Sequence, residues 1–129
     1  MSVVGVGVDL VKIERIRSIL DSDARDRFVA SVFTDDEVEA AQDDGDPAVA
    51  FATRFAIKEA VFKSFQTSFA PGDQLRDIEV RENAAGAPYV VLSRRFDTVL
   101  AERGAAAPAV SVSFEDEHVV AVAVAARAC

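Results

Sequence analysis

Several residue types that mark particular protein classes are scarce in this sequence of 129 residues. The single cysteine, Cys129, excludes a disulfide framework and a cysteine-based zinc site. No apolar run reaches the roughly 18 residues that cross a membrane, and the N-terminus lacks the features of a secretory signal, so a cytoplasmic protein is expected. Basic residues number 14 against 22 acidic ones, and the net charge of -8 argues against binding to nucleic acid or an anionic membrane.

Half of the residues are apolar, which is enough to build a core and excludes a wholly disordered chain. A chain of this length fits one compact domain and leaves little room for a second. We therefore expect residues 1–129 to form a single domain.

Local patterns indicate how this domain is built. Residues 3–9 alternate as a strand, with Gly5, Gly7 and Asp9 on one face, and glycines in a strand usually mark a close approach of backbone or ligand. Thr34 and Glu37 form a capping box, and Asp46 followed by Pro47 is a good helix start. The predicted helices are 10–32 with a break near 21–23, a short one after Thr34, 47–65 and 94–103. The other predicted strands are 77–81, 88–92, 110–114 and 118–125. This order predicts an α+β fold with a mainly antiparallel sheet packed on a long central helix.

The long helix carries charge on a face that also carries aromatic residues. On a helical wheel Glu59 lies on the same side as Phe55, and Lys58 and Lys63 lie close by. One interpretation is an ordinary Glu59–Lys63 pair with Lys58 reaching out to solvent. The other is a site in which Asp9 and Glu59, together with water and phosphate oxygens, hold Mg²⁺ while lysines contact phosphate.

Two segments resemble signatures of the holo-acyl-carrier-protein synthase type of 4′-phosphopantetheinyl transferases. The first runs from Gly5 to Leu10 and is followed by Arg15, and the second is Arg54-Phe55-Ala56-Ile57-Lys58-Glu59-Ala60-Val61-Phe62-Lys63. Further matching segments fall in the expected order, so that the resemblance spans nearly the whole chain. It implies transfer of the phosphopantetheine arm of coenzyme A to a serine of an acyl carrier protein, with release of adenosine 3′,5′-bisphosphate.

The resemblance also implies roles for individual residues. Asp9 and Glu59 match the Mg²⁺ ligands, and Asp9, Glu59 and Lys63 match the catalytic group, with Glu59 as the first candidate for the base. The residues expected to bind coenzyme A are Arg54, Lys58, Lys63, Thr67 and Pro88. The residues expected to dock an acidic carrier are Arg15, Arg27 and Phe28.

A homotrimer with active sites shared between subunits is expected from the same resemblance. The valine-rich first and last strands support it independently, because they offer more flat apolar surface than a small domain easily covers. The sequence does not distinguish among a free fatty-acid carrier, a polyketide carrier and a carrier inside a multidomain synthase.

Three departures from the family pattern keep other interpretations open. Residues 66–68 read Gln-Thr-Ser where the family has Gly-Thr-Gly, and residues 109–111 read Ala-Val-Ser where it has His-Val-Ser. A second family histidine is also absent, Glu115 replaces an aspartate, and His118 stands nearby. The docking segment 12–27 has five basic and four acidic residues, a sum of only +1. The alternatives are a catalytically degenerate member that binds coenzyme A or associates with a synthase, and an unrelated α+β trimer.

Overall fold

A computed structural model describes residues 2–65 and 75–128 of the chain. The helices are α1 (Ile13–Leu20), α2 (Arg25–Val32), α3 (Asp35–Gln42), α4 (Pro47–Ser64) and α5 (Asp97–Arg103), with 3₁₀ turns at Leu75–Asp77 and Arg94–Phe96. The strands are β1 (Val3–Lys12), β2 (Ile78–Glu82), β3 (Pro88–Leu92), β4 (Ala109–Glu115) and β5 (His118–Ala126).

The strands form two antiparallel sheets around α4. One sheet has the order β1-β5-β4, and the other is the β2-β3 hairpin. The predicted α+β fold with antiparallel strands and a long central helix is confirmed. None of the described helices is long and apolar enough to cross a membrane.

Helix α4 is buried on almost all sides. Its start is fixed as the sequence predicts, because the Asp46 side chain accepts a hydrogen bond from the amide of Ala48 and Pro47 occupies the first turn. The buried residues on the helix include Phe51, Ile57 and Val61, which point to different sides. The sequence predicts one core-facing stripe on α4, whereas the structure buries residues on several sides of the helix.

The first strand is three residues longer than predicted. Residues 10–12, expected to be helical, pair with β5, and Lys12 lies opposite His118 at the end of this ladder. The pattern of a short apolar run is compatible with both a helix and a strand, so pairing with β5 decides the conformation of residues 10–12. The predicted break is confirmed, since Leu20 ends α1 and Arg25 begins α2.

The two faces of the β1-β5 ladder differ in environment. Gly5, Gly7 and Val11 are buried toward α4, and the alternate residues point away from it. Val6, Val8 and Leu10 are 52%, 51% and 66% exposed. The domain thus carries an uncovered apolar sheet face on the side opposite to its central helix.

Candidate active site

Gly7 brings β1 into direct backbone contact with α4. A Cβ atom built at this position would lie 1.8 Å from the carbonyl oxygen of Ala60 and 2.7 Å from the amide nitrogen of Ser64. Only glycine allows this approach, which confirms the expectation that a glycine in this strand marks close packing. Asp9 follows two residues later on the same face of the strand, so this packing also sets its distance from α4.

Asp9 forms an ion pair with Lys63 across this contact. The Lys63 Nζ atom donates to Asp9 Oδ1 at 2.9 Å and to the carbonyl oxygen of Val8 at 3.1 Å. The Asp9 side chain is 14% exposed and that of Lys63 is 53% exposed. Within residues 2–65 and 75–128, no ion pair joins Lys63 to Glu59, so the helical pair considered from the sequence is replaced by one between β1 and α4.

Glu59 lies half-buried beside this pair. Burial, and after it the negative charge of Asp9, raises the pKa of Glu59, while the positive charges of Lys63 and Arg15 oppose the rise. In the part of the chain that the structure describes, no side chain or backbone group donates a hydrogen bond to Glu59. The structure therefore brings Asp9, Glu59 and Lys63 together, and Arg15 of α1 is close enough to act on the pKa of Glu59.

The carboxylates of Asp9 and Glu59 suit Mg²⁺ better than a cation whose ligands all come from the protein. The negative charge of Asp9 disfavours ionisation of Glu59, and a divalent cation held by the two carboxylates would relieve this repulsion. The described residues contain no group of three or more histidine, cysteine or acidic side chains that could enclose a metal. Mg²⁺ commonly binds through one or two carboxylates and takes its other ligands from water and substrate phosphates.

Lys58 belongs to a different, fully buried network. Its Nζ atom donates to Glu37 Oε1 at 2.6 Å and to the carbonyl oxygens of Ile78 at 2.6 Å and Leu75 at 3.1 Å. Both side chains of the Lys58–Glu37 pair are 0% exposed. These three contacts use all three ammonium protons, so the sequence interpretations of Lys58 as a phosphate contact or a solvent-reaching side chain are wrong.

Glu37 is a buried partner of Lys58 that the sequence does not reveal. The sequence predicts Glu37 only as a member of the capping box with Thr34, which the structure confirms. The carboxylate also accepts a hydrogen bond from the amide of Val80 at 2.9 Å and so ties α3 to β2. A lysine on a helix as apolar as α4 is the signal that a buried acidic partner was needed, but nothing in the sequence said which one.

Comparison with known proteins identifies the family. Residues 5–123 match the family described as the 4′-phosphopantetheinyl transferase superfamily. The chain belongs to the 4′-phosphopantetheinyl transferase superfamily. A holo-[acyl-carrier-protein] synthase from Leptospira biflexa is 38% identical over 119 residues, which are 92% of this chain and 93% of that protein. This phosphopantetheinyl transferase is therefore an enzyme of the class that the sequence resemblance implied.

Solved structures of the same type cover the whole fold. The holo-[acyl-carrier-protein] synthase of Neisseria meningitidis superposes with a TM-score of 0.87 at 28% identity, covering 98% of this chain and 100% of that one. The Bacillus anthracis enzyme, solved in complex with coenzyme A (3′,5′-ADP), gives a TM-score of 0.79 at 27% identity and covers 98% of both chains.

Two other residues expected to bind coenzyme A in this phosphopantetheinyl transferase, Arg54 and Pro88, lie on α4 and β3. Arg54 is half-buried on α4, where Nη1 donates to the carbonyl oxygen of Ala50 at 3.1 Å, and it lines a groove with Glu79 and Arg81. Its Nε atom is buried and has no hydrogen-bond partner among the described residues. Pro88 begins β3, opposite Glu82. Thr67, like the rest of segment 66–74, lies outside the described residues.

The expected docking residues have different environments. Arg15 and Arg27 are exposed. Phe28 is half-buried, with its ring centroid 5.7 Å from that of Phe33 and 5.8 Å from that of Phe55, so part of it belongs to the core. Arg17, another basic residue of this segment, is held by Asp46 at 3.1 and 3.3 Å.

Proposed function

We propose that the protein transfers the 4′-phosphopantetheine group of coenzyme A to a serine of an apo acyl carrier protein and releases adenosine 3′,5′-bisphosphate. The observation that carries this proposal is the meeting of Asp9, Glu59 and Lys63 where β1 packs on α4, within a chain of this family. Two carboxylates beside a half-exposed ammonium group form a suitable site for a diphosphate and its cation.

In the proposed reaction the carrier serine oxygen forms a bond to the β-phosphorus of coenzyme A. The bond from that phosphorus to the bridging oxygen breaks, and adenosine 3′,5′-bisphosphate leaves with the bonding electrons. Glu59 is the proposed acceptor of the serine proton, directly or through water. Lys63 is placed to neutralise charge that develops on the phosphate oxygens.

Asp9 and Glu59 would hold Mg²⁺, which supplies positive charge to the diphosphate when bound. The proposal rests on the donor set described above, which leaves open coordination positions for water and phosphate oxygens. Among the described residues, Lys63 at Asp9 is the one cationic side chain that forms an ion pair with either carboxylate.

The carrier and the adenosine end of coenzyme A are proposed to occupy two different surfaces. We assign the carrier to the exposed side of α1 and α2, through Arg15, Arg27 and the exposed edge of Phe28, because acyl carrier proteins are acidic. Arg54, Pro88 and Thr67 remain the proposed contacts of coenzyme A beyond its diphosphate, and the partly unsatisfied guanidinium of Arg54 supports this assignment.

The exposed sheet face supports a homotrimer. Val6, Val8 and Leu10 pair in register with Val124, Val122 and Val120 of β5, which gives a continuous apolar surface. A surface of this kind on a small domain usually binds another protein. We propose that three copies bury it and that neighbouring subunits complete each active site.

The test of the activity is direct. The protein is incubated with coenzyme A, Mg²⁺ and apo carriers from fatty-acid, polyketide and multidomain synthases, and the carriers are weighed by mass spectrometry. Addition of phosphopantetheine to at least one carrier is expected. Binding of coenzyme A without transfer to any carrier would refute the proposal and favour the degenerate alternative, which the replacement of the family histidine by Ala109 motivates.

The trimer has its own test. Light scattering at micromolar concentration should give three times the chain mass of 13.8 kDa. Val8→Asp places a charge in the middle of the exposed face and should yield a folded monomer. A wild-type monomer at this concentration would contradict the assembly.

A further inference from the structure

Lys63 already neutralises the carboxylate that a divalent cation would use. Its ammonium group is 2.9 Å from Asp9 Oδ1, and Asp9 is the more buried partner of the pair, with only 14% of its side chain exposed. A carboxylate so nearly buried needs a cationic or hydrogen-bonding partner, and in this structure Lys63 is that partner.

The lysine and a divalent cation cannot both stay at Asp9 without strong repulsion. Two like charges about 4 Å apart repel each other near a protein surface, and the double charge of a divalent cation doubles this repulsion. Asp9 is fixed by the backbone contact of Gly7 with Ala60, so the strand cannot move to relieve the repulsion. The long side chain of Lys63, which is half exposed, can swing away at little cost.

We propose that Lys63 is the internal counter-ion of Asp9 and that a divalent cation binding at Asp9 displaces it toward solvent. This inference rests on the proposed function, because it takes Asp9 and Glu59 as the cation ligands. Its consequence is an order of events: the same step that loads the cation releases an ammonium group beside it. The released group is then free to contact a phosphate oxygen, so the lysine is engaged with Asp9 before loading and with substrate afterwards.

The first test measures cation affinity rather than activity. Calorimetric titration of the full-length protein with Mn²⁺, without coenzyme A, is compared among the wild type and variants. Lys63→Met removes the competitor and should bind Mn²⁺ about tenfold more tightly, the factor expected for one charge contact of about 1.4 kcal/mol. Lys63→Gln removes the charge but keeps a hydrogen-bond donor, and its affinity for Mn²⁺ should equal that of Lys63→Met. Lys63→Arg keeps the charge, and its affinity should equal that of the wild type.

Lys12→Met is the matched control. Lys12 is exposed at the end of β1 and its loss changes the net charge by the same amount as Lys63→Met. Its affinity for Mn²⁺ should equal that of the wild type. An equal gain in both methionine variants would mean that net charge alone sets the affinity, which would overturn the inference.

The second test follows the lysine itself. The chain has only three lysines, Lys12, Lys58 and Lys63, so their ¹⁵Nζ resonances are readily distinguished by NMR. Addition of Mg²⁺ should convert the Lys63 signal from a hydrogen-bonded state to a solvent-exchanging one and leave the buried Lys58 signal unchanged.

The outcomes separate this inference from the proposed function. If the wild type binds the cation, and Lys63→Met binds it no more tightly or the Lys63 signal does not change, only the displacement is overturned. If neither protein binds a divalent cation, the displacement and the proposed cation site fail together. Phosphopantetheine transfer, measured separately, decides the activity in either case.

Discussion

The buried Lys58–Glu37 pair makes a quantitative prediction about stability. Lys58→Met keeps most of the side-chain volume but leaves the Glu37 carboxylate buried without its cation, and both side chains are 0% exposed. Removal of one partner of a buried ion pair costs about 3–5 kcal/mol. Glu37 retains hydrogen bonds from the amides of Thr34 and Val80, each at 2.9 Å, so we expect a cost near the lower limit, about 3 kcal/mol.

Glu37→Gln should cost at least as much. Both carboxylate oxygens accept hydrogen bonds from the protein, so either orientation of the amide places an NH₂ group against a donor. The double variant Glu37→Leu/Lys58→Met should be less destabilised than the two single variants predict, because no unpaired charge remains. Its loss in free energy of unfolding should be at least about 2 kcal/mol smaller than the sum of the losses in Glu37→Leu and Lys58→Met.

Urea unfolding followed by circular dichroism measures these differences. At about 2 kcal/mol per molar urea, Lys58→Met should lower the midpoint by roughly 1.5 M. All variants are compared at equal protein concentration, since assembly would also stabilise the fold. Arg76→Met is the control, because it removes an exposed ion pair with Asp35 that is worth less than about 1 kcal/mol. A midpoint for Lys58→Met no lower than that of Arg76→Met would refute the reasoning.

Three further predictions follow from the site. Gly7→Ala should destabilise the protein by at least about 3 kcal/mol in the same urea assay, whereas Gly45→Ala, which has open space around it, should be nearly neutral. Arg15→Glu should raise the KM for the carrier and leave the KM for coenzyme A unchanged, and an unchanged carrier KM would remove Arg15 from the proposed docking surface. In metal-free protein, ionised Glu59 should weaken the fold, because its pKa is higher in the folded state than in the unfolded one. This penalty is absent below the ordinary glutamate pKa of about 4.3 and complete above the folded-state pKa, so Glu59→Gln should raise Tm at pH 7 but not at pH 4. An equal gain in Tm at both pH values would contradict the assignment.

Elements with a local chemical cause could be predicted from the sequence. Thr34 and Glu37 lie three residues apart, and Asp46 directly precedes Pro47, so each helix start is encoded within a few residues. Gly104 directly follows Arg103 and ends α5 in the left-handed conformation, with φ of 61°, which is where a helix commonly ends on glycine.

Features that depend on distant partners could not be predicted in this way. The continuation of β1 to Lys12 depends on a register with β5, more than 100 residues later in the chain. The role of Lys58 depends on Glu37 and Ile78, each about 20 residues away. The helical periodicity correctly places Lys58 on a buried side of α4. It carries no information about which groups of other elements pack against that side.

The site residues show the same division. The resemblance singled out Asp9, Glu59 and Lys63, and the structure brings them together, but the sequence spacing suggested that Lys63 pairs with Glu59. The pairing with Asp9 instead follows from the depth of the β1–α4 contact, which only the packed structure reveals.

The glycine at position 7 has a consequence for how the protein can change. Because its contact with Ala60 is between two main chains, no compensating side-chain replacement on α4 could make room for a larger residue there. The separation of β1 and α4, and with it the spacing of Asp9 and Glu59, therefore does not depend on the sizes of the side chains on the helix. Substitutions at exposed positions of either element can accumulate while this separation stays constant.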